Sequence, residues 1–458
     1  MSYSQLTAGR LAVSASSTLV ALLMASQAWA AGFQLQEQNA RHLGTSYAGT
    51  AATADEASTA YYNPAGITRI PDHQLVIGGA WVHADNDFNP TFASNMAGTA
   101  LALRGEENSD KDNVVPFLHY TAQVTDDVFL GLSVVSPFGL AAEYSENSVL
   151  RYMATRSELK TIDISPSIAY RVNKCLSVAA GADILWAKAH LDLQTSATAG
   201  ATLVDGFQRN TAEEWGYGYH LAVLWELSER TRFGINYRSH VKINADGESE
   251  QVFPTSAGLT ALGLSGFRDT YPVHASVTLP STLYISAYHA FTDEFAVMAD
   301  VNWTDWSRFR TLRLRYDAPV PTLPVPPAGN AIGRTPTDTF EHWDDSVRVA
   351  LGMEYTPCEK YQFRFGVAWD QTPVDTQFRT ARIPDADRFW VGVGVGYALS
   401  KNMKVDLGYA HLFFKGANID EHSPYRAQTT TPSTAAVLRG KFDTSVDIFG
   451  VQFRWTFA

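Results

Sequence analysis

Along most of its 458 residues this chain alternates short polar turns with long loops, and few folds accommodate that layout. Six tight connections stand out: Thr125-Asp126-Asp127, Arg171 to Cys175, Ser228-Glu229-Arg230, Thr292-Asp293-Glu294, Pro357 to Lys360 and Ser400-Lys401-Asn402. Between them run seven longer connections, near residues 86–112, 138–156, 190–212, 241–272, 317–340, 372–386 and 416–442. The segments left over read as 14 strands. Short turns at one end and long loops at the other are the layout of a membrane-spanning meander that closes on itself. The expected fold class is all-β, a 14-stranded antiparallel transmembrane β-barrel.

The strands carry the two-residue period that a barrel wall needs, because lipid-facing and lumen-facing side chains alternate. In the last strand Phe449, Val451, Phe453, Trp455 and Phe457 share one face, and Gly450, Gln452, Arg454 and Thr456 share the other. Val391, Val393, Val395 and Tyr397 alternate with Gly392, Gly394 and Gly396, and Phe363, Phe365, Val367 and Trp369 with Arg364, Gly366, Ala368 and Asp370. A soluble antiparallel sandwich also alternates. At this length, however, a sandwich normally splits into domains.

Composition bounds the reading further. The mean hydropathy of -0.13 suits a polar lumen set against an apolar belt. Aromatic residues at 12% suit girdles at the two membrane surfaces. After residue 30 no stretch approaches the roughly 20 apolar residues of a spanning helix. A formal charge of -12 and a pI near 5.4 argue against a nucleic-acid partner. Arg10, the apolar run Leu19 to Met24 and Ala28-Trp29-Ala30 read as an export signal over residues 1–30, so the mature chain is expected to begin at Ala31. Cys175 and Cys358 fall in separate short turns six strands apart, which points to two free thiols rather than a disulfide.

Residues 31–73 differ in character from the barrel segment 74–458. Ala48 to Ala60 is rich in small and acidic residues, lacks strand alternation and reads as short helix and coil. Such a segment serves either as a periplasmic extension or as a plug within the lumen, and its length, small residues and Asn63-Pro64-Ala65-Gly66 turn suit a compact plug.

Several motifs then line up. Ala31-Gly32-Phe33-Gln34-Leu35, the run from Tyr47-Ala48-Gly49 to Ala54-Asp55, and Asn63-Pro64-Ala65 resemble the N-terminal hatch of the FadL-type outer-membrane long-chain fatty acid transporters. Ser136-Pro137-Phe138-Gly139-Leu140 resembles that family's kinked third strand, and Ile383-Pro384-Asp385-Ala386-Asp387-Arg388-Phe389-Trp390 its late motif. The resemblance covers essentially the whole mature chain. It implies a multi-pass protein of a Gram-negative outer membrane, a monomer amid outer-membrane lipid, that takes up hydrophobic small molecules passively. Long-chain fatty acids are the first expectation, with neutral aromatic or alkane hydrocarbons as the alternative. Loops capture the ligand, a buried pocket holds it, and a hatch rearrangement releases it sideways through the third-strand kink. No catalytic group, cofactor or metal is implied.

The resemblance also assigns roles. Ser136, Pro137, Phe138 and Gly139 form the lateral opening, since Pro137 has no N–H for the ladder and Gly139 tolerates backbone angles closed to other residues. Pro137 as a simple strand terminator is the plainer alternative. Asn63, Pro64 and Ala65 belong to a hatch that faces the opening, or form an ordinary Asn-Pro turn. Ala31, Gly32 and Phe33 reach into the ligand pocket, or Phe33 anchors the hatch. Lys188 and Arg348 align with basic ligand contacts and so become candidate partners for a carboxylate, which needs a positive group when desolvated. Their alternative is an ordinary lumen charge, and Asp344-Asp345 departs from the basic pattern near Arg348.

One loop carries an apolar set of its own. Phe253, Leu259, Leu262, Leu264 and Phe267 mark either an exposed capture surface or a closed loop cap. Pro319 to Pro327 reads as a stiff spacer. His42, His73, His83 and His119 show no convergent metal spacing, and no Gly-x-Ser-x-Gly supports the rival reading of a lipid hydrolase. A structural or adhesin barrel is the remaining rival, and a hatch filling the lumen discriminates against both.

Overall fold

Local chemistry fixes the tight hairpin turns. Thr125 and Thr292 each accept the N–H of the residue three positions on through Oγ1, and Asn173 takes the Cys175 N–H through Oδ1 at 2.8 Å. Ser228 and Ser400 do the same two residues on. Such side chains hold a tight turn without a longer loop, which is why these connections are short and polar.

The computed structural model describes residues 31–95, 98–103, 105–199, 202–260, 263–316, 337–423 and 436–457. The expected export signal, Leu262, the Pro319 to Pro327 spacer and Ala458 lie outside them. Fourteen strands make one closed antiparallel barrel. The first half comprises β1 (His73–Ala93), β2 (Lys111–Gln123), β3 in two pieces (Val128–Val135 and Gly139–Glu143), β4 (Arg156–Asn173), β5 (Leu176–Ala199), β6 (Thr202–Ser228) and β7 (Thr231–Arg238 and Val241–Val252). The second half comprises β8 (Arg268–Leu279 and Thr282–Ala290), β9 (Phe295–Thr304 and Thr311–Tyr316), β10 (Thr337–Phe340 and Ser346–Cys358), β11 (Tyr361–Asp370), β12 (Arg388–Ala398), β13 (Met403–Phe414 and Ala417–Ser423) and β14 (Ala436–Phe457). Closure comes from β14 pairing back onto β1, from His73 opposite Phe457 up to Ala93 opposite Leu438.

The faces follow the alternation. On β6, Trp215, Tyr217, Tyr219, Leu221, Val223 and Trp225 are exposed on the outer wall, while His220, Ala222 and Leu224 are buried within. Phe449, Val451 and Trp455 are likewise exposed, with Ile448 and Gln452 inside. Cys175 and Cys358 are exposed and unbridged.

The boundaries differ from the sequence expectation in two respects. The barrel starts at His73, one residue before the expected boundary. Much of 86–112, 190–212, 241–272 and 416–442, expected as loop, is extended strand: β1 runs to Ala93, β5 to Ala199, and β7 begins its second piece at Val241. Above the membrane both faces of a strand meet water or other loops, so the apolar alternation that betrays a strand fades there.

The N-terminal segment forms the hatch inside the barrel. Its short helical turns are His42–Thr45, Thr50–Thr53, Thr59–Tyr62 and Pro64–Arg69, and nearly every residue from Ala31 to Thr68 is buried. Asn63 starts the last turn by accepting the Ala65 N–H at 3.1 Å, with Pro64 just inside the turn. The lumen face of β11 to β14 carries glycines where the hatch backbone comes closest. A Cβ on Gly366 would lie 2.0 Å from the Thr45 carbonyl oxygen, and one on Gly392 2.4 Å from that of Leu43. These glycines form a groove for the hatch main chain, which explains Gly392 and Gly394 better than strand propensity does.

Charges lock the hatch in that groove. Arg41 reaches Asp55 at 2.6 Å and Glu354 of β10 at 2.7 Å, and Arg364 of β11 reaches Glu354 at 3.0 Å and Asp406 of β13 at 2.8 Å. Gln452 of β14 accepts the N–H groups of Ala40 and Arg41 and donates to Glu56 at 2.8 Å. A buried network of this kind is expensive to break piecemeal, because each lost partner leaves an uncompensated charge.

Candidate functional site

The wall is broken at β3. Below the break β3 pairs with β2 from Gln123 opposite Phe129 up to Leu118 opposite Val134. Above it the second piece of β3 pairs only with β4, from Gly139 opposite Lys160 to Glu143 opposite Arg156. Pro137 has no N–H to continue the ladder. The Thr161 hydroxyl of β4 takes over locally, accepting the Phe138 N–H at 3.1 Å and donating to the Phe138 carbonyl at 2.5 Å. Farther out the gap narrows again, where Lys111 of β2 meets Glu143 at 2.6 Å and Ser109 Oγ accepts the Glu143 N–H at 3.2 Å.

Hatch residues satisfy the backbone groups that β2 leaves unpaired. Leu35 N–H donates to the Pro137 carbonyl at 2.9 Å, Gly139 N–H donates to the Phe33 carbonyl at 2.8 Å, and Gln34 stands opposite Phe138 as an antiparallel bridge. Gln38 adds a two-way amide contact, donating to the Ser136 carbonyl at 2.7 Å and accepting the Ser136 N–H at 3.2 Å. The first residues of the hatch therefore patch the break as a short extra strand. A buried backbone group without a partner is costly, so this patch is the seal of the break.

Behind the patch lies an aromatic box. The Phe33 ring sits 4.6 Å from Trp306, 5.4 Å from Phe309, 5.6 Å from Trp343 and 6.1 Å from Phe138. Trp306 and Phe309 come from the interruption between the two pieces of β9, and Trp343 from that between the pieces of β10, where the wall turns inward. Gly32 adopts a positive φ of 63°, and a Cβ there would strike the Trp343 ring at 2.5 Å. Its N–H donates to Asp385 Oδ2 at 3.0 Å, and Thr372 donates to the same oxygen at 2.6 Å. Acids rather than cations border the box: Glu341 accepts the Trp343 indole N–H at 3.1 Å, and burial pushes its carboxyl up to about 8.

Phe33 thus meets Phe138 and Gly139, a contact that the motifs did not suggest, while Trp306 and Phe309 went unread because strand interruptions carry no periodic signal. Arg348 is buried, donates to the Ser46 carbonyl at 2.6 Å and lies 5.0 Å from the Trp390 ring. It stands in a lumen row with Asp370 and Arg388 on the next two strands. Asp344 and Asp345 are exposed, and Asp345 accepts the Ser307 N–H at 3.0 Å, so neither neutralises Arg348.

Three expectations shift. Lys188 shares its face with Trp186 and, across the ladder, with Glu213 and Trp215, which is the outer wall; its ammonium pairs with Glu213 at 2.9 Å. Strand parity, invisible in an approximate alignment, removes it from the lumen. Asn63, Pro64 and Ala65 pack below the break rather than facing it, with Asn63 donating to the Val223 carbonyl at 3.0 Å and Ala65 among Phe129, Ala169 and Ala222. Phe253, Leu259 and Leu264 are buried on one another, with Phe267 against them, so this loop forms a closed cap. Lys188→Ala is accordingly expected to change oleate affinity by less than about twofold, measured by equilibrium binding to the detergent-purified protein. A loss of roughly tenfold, the scale of one charge-assisted hydrogen bond, would put the ammonium back in the ligand's path.

The comparisons agree with this architecture. A family model described as outer membrane protein transport protein (OMPP1/FadL/TodX) matches residues 21–457. The long-chain fatty acid transport protein of Salmonella typhi is 30% identical over 429 residues, which cover 89% of this chain and 93% of that protein. Outer membrane protein P1 of Haemophilus influenzae is 30% identical over 437 residues, covering 87% and 90%. Among solved structures, a Pseudomonas aeruginosa FadL homologue superposes with a TM-score of 0.82 at 20% identity, covering 93% of this chain and all of that one (100%). The P. putida toluene transporter TodX superposes at 0.69 with 17% identity, covering 92% and 98%. At these identities the two structures speak for the fold.

Proposed function

The chain belongs to the outer membrane protein transport family (OMPP1/FadL/TodX), whose members carry hydrophobic compounds, and from that premise we propose that it admits long-chain fatty acids. The observation that carries the mechanism is the β3 break sealed by Phe33 to Leu35 and Gln38. A ligand that displaces the Phe33 ring from the aromatic box loosens the same residues that close the wall, and the ligand leaves through the break into the outer leaflet. The route stays dry. Re-exposing a chain of about sixteen methylenes to water would cost roughly 13 kcal/mol at about 0.8 kcal/mol each, which favours a lateral exit over an aqueous axial one. The fatty acid assignment is supported by the relatives named for that substrate and by Arg348, a buried guanidinium on the lumen face beside the hatch.

A second reading, uptake of neutral aromatic hydrocarbons, draws on the box itself, whose polar neighbours Asp385 and Glu341 are acids. Direct binding of oleate against toluene to the purified barrel, with mass spectrometry of co-purified lipid, separates the two. Saturable oleate binding supports the first reading; toluene binding with no oleate binding overturns it. Phe33→Ala is expected to vacate the box and raise the affinity of either ligand, by about tenfold for the one the box is shaped for, since a truncated buried aromatic leaves a cavity that an apolar guest can fill. Unchanged affinity for both would remove Phe33 from the ligand site.

A further inference from the structure

Between β11 and β12 the chain runs from 371 to 387 and carries most of the late motif, Ile383 to Trp390. The short Pro357 to Lys360 turn closes the other end of β11, so this connection lies on the extracellular side. At its root Asp387 Oδ1 accepts the Thr372 N–H at 3.0 Å. Farther along, Asp375 takes the Gln377 N–H at 2.7 Å, and Ile383 pairs back onto Thr380 as an isolated bridge. Ala381 and Arg382 therefore form the tip of a tight turn.

That tip lands on the opposite wall. Arg382 donates to the Arg156 carbonyl at 3.1 Å and to Ser157 Oγ at 2.9 Å on β4, and to the Asp192 carbonyl at 3.2 Å on β5. In a ring of 14 strands β4 and β11 stand seven apart, the greatest separation the ring allows, so the segment crosses the mouth as a strap. Tyr144, just past the outer piece of β3, donates its hydroxyl to the Ala381 carbonyl at 2.8 Å, and Glu421 of β13 takes the Ala381 N–H at 2.7 Å. The aromatic box lies against the strap's underside. Val374, Ala381, Ile383 and Ala386 are buried in the same apolar cluster as Phe33, Trp306 and Trp343, Pro373 accepts the Asp344 N–H at 3.0 Å, and Asp385 holds Gly32. The two ends are fastened differently. The root continues into strands laddered to their neighbours, whereas at the tip Arg382 bonds to carbonyl and hydroxyl oxygens. Water at the mouth can satisfy those groups once they part, unlike the charges of a buried ion pair such as Arg41–Glu354.

We propose that residues 371–387 are an entry lid over the aromatic box and that Arg382 is its latch. A hydrophobic molecule from outside reaches the box when the tip lifts from β4 and β5, and the lid then closes over it. The patch at β3 governs exit, and the lid governs entry. A fatty acid and a neutral hydrocarbon pass the lid alike, so the inference rests on the box as the ligand site and not on the choice between the two.

The test measures rates on the purified barrel. Wild type, Arg382→Ala and Tyr144→Phe, each first shown to be folded by heat-modifiable migration, are mixed in stopped flow with a fluorescent long-chain fatty acid and, separately, with naphthalene. A latch fastened both with and without ligand slows entry and escape equally, because it does not discriminate between the two states. Arg382→Ala is expected to raise the association and dissociation rate constants together by about tenfold, the scale of one charge-assisted hydrogen bond, and to change Kd by less than about threefold. Tyr144→Phe, which keeps the ring and loses one hydrogen bond, is expected to raise both by about threefold. Dissociation that rises alone, with Kd weakened in step, would mean that Arg382 only props the box, and unchanged rates in both variants would mean that ligand enters elsewhere; either overturns the lid. Wild type that binds naphthalene and no fatty acid overturns the fatty acid reading, while the naphthalene rates still decide the lid. Wild type that binds neither probe overturns both.

Discussion

Uptake is expected to stop, falling by more than 90% in the oxidised state, when the hatch is tied to the wall by a disulfide between Gln34→Cys and Phe138→Cys, and to return on reduction. The two residues stand opposite each other in an antiparallel bridge. Opposed residues in such a pair have Cα atoms about 4.5–5.5 Å apart, within the range a disulfide spans. Cys175 and Cys358, both exposed, are first replaced by serine so that the new bond is the sole candidate. Labelled oleate accumulation in cells reads the result, and the reduced form controls for the lost contacts of Gln34 with Tyr284 and Thr304. Oxidised protein that still transports would mean that the patch does not open and that ligand leaves another way.

The second large effect is on the seal rather than the exit. Gly366→Val places a Cβ where the Thr45 carbonyl oxygen now lies, 2.0 Å from the built position, and the obstacle is main chain, which cannot swing aside as a side-chain tip can. The hatch must then leave its groove, and with it goes the Arg41–Glu354 ion pair that bridges hatch and wall. Losing a partner from a buried pair costs about 3–5 kcal/mol. The expected outcome is a folded barrel, heat-modifiable on gels, that conducts ions in a planar bilayer where wild type is closed. A silent bilayer with a folded Gly366→Val barrel would show that the hatch reseats and that the glycine groove is not what holds it.

What could be read in advance tracks where physics imposes a repeat. Alternation along Phe449 to Phe457, and the polar residues of the short turns, gave the strand count because lipid on one side and the lumen on the other force a two-residue period. The breaker at Pro137 was legible for the same reason: a residue without an N–H interrupts any ladder it enters. The strand extensions above the membrane were missed where that asymmetry ends. Lys188 shows the cost of a one-residue uncertainty in register, since parity alone moved it from lumen to outer wall.

The barrel came from a repeat that every strand must obey, whereas the hatch and the weak point in β3 were preferred over their plainer alternatives because their motifs resemble those of a known family. Only the folded chain decided what closes the weak point and what lines the site behind it. Phe33 meets Trp306 and Trp343 across more than 270 residues of chain, and Gln34 finds Phe138 across about 100. Contacts between such remote segments depend on how many strands close the ring and on where β9 and β10 bend inward. No pattern within either segment encodes that, because the partners are brought together by closure of the barrel and not by anything adjacent to them.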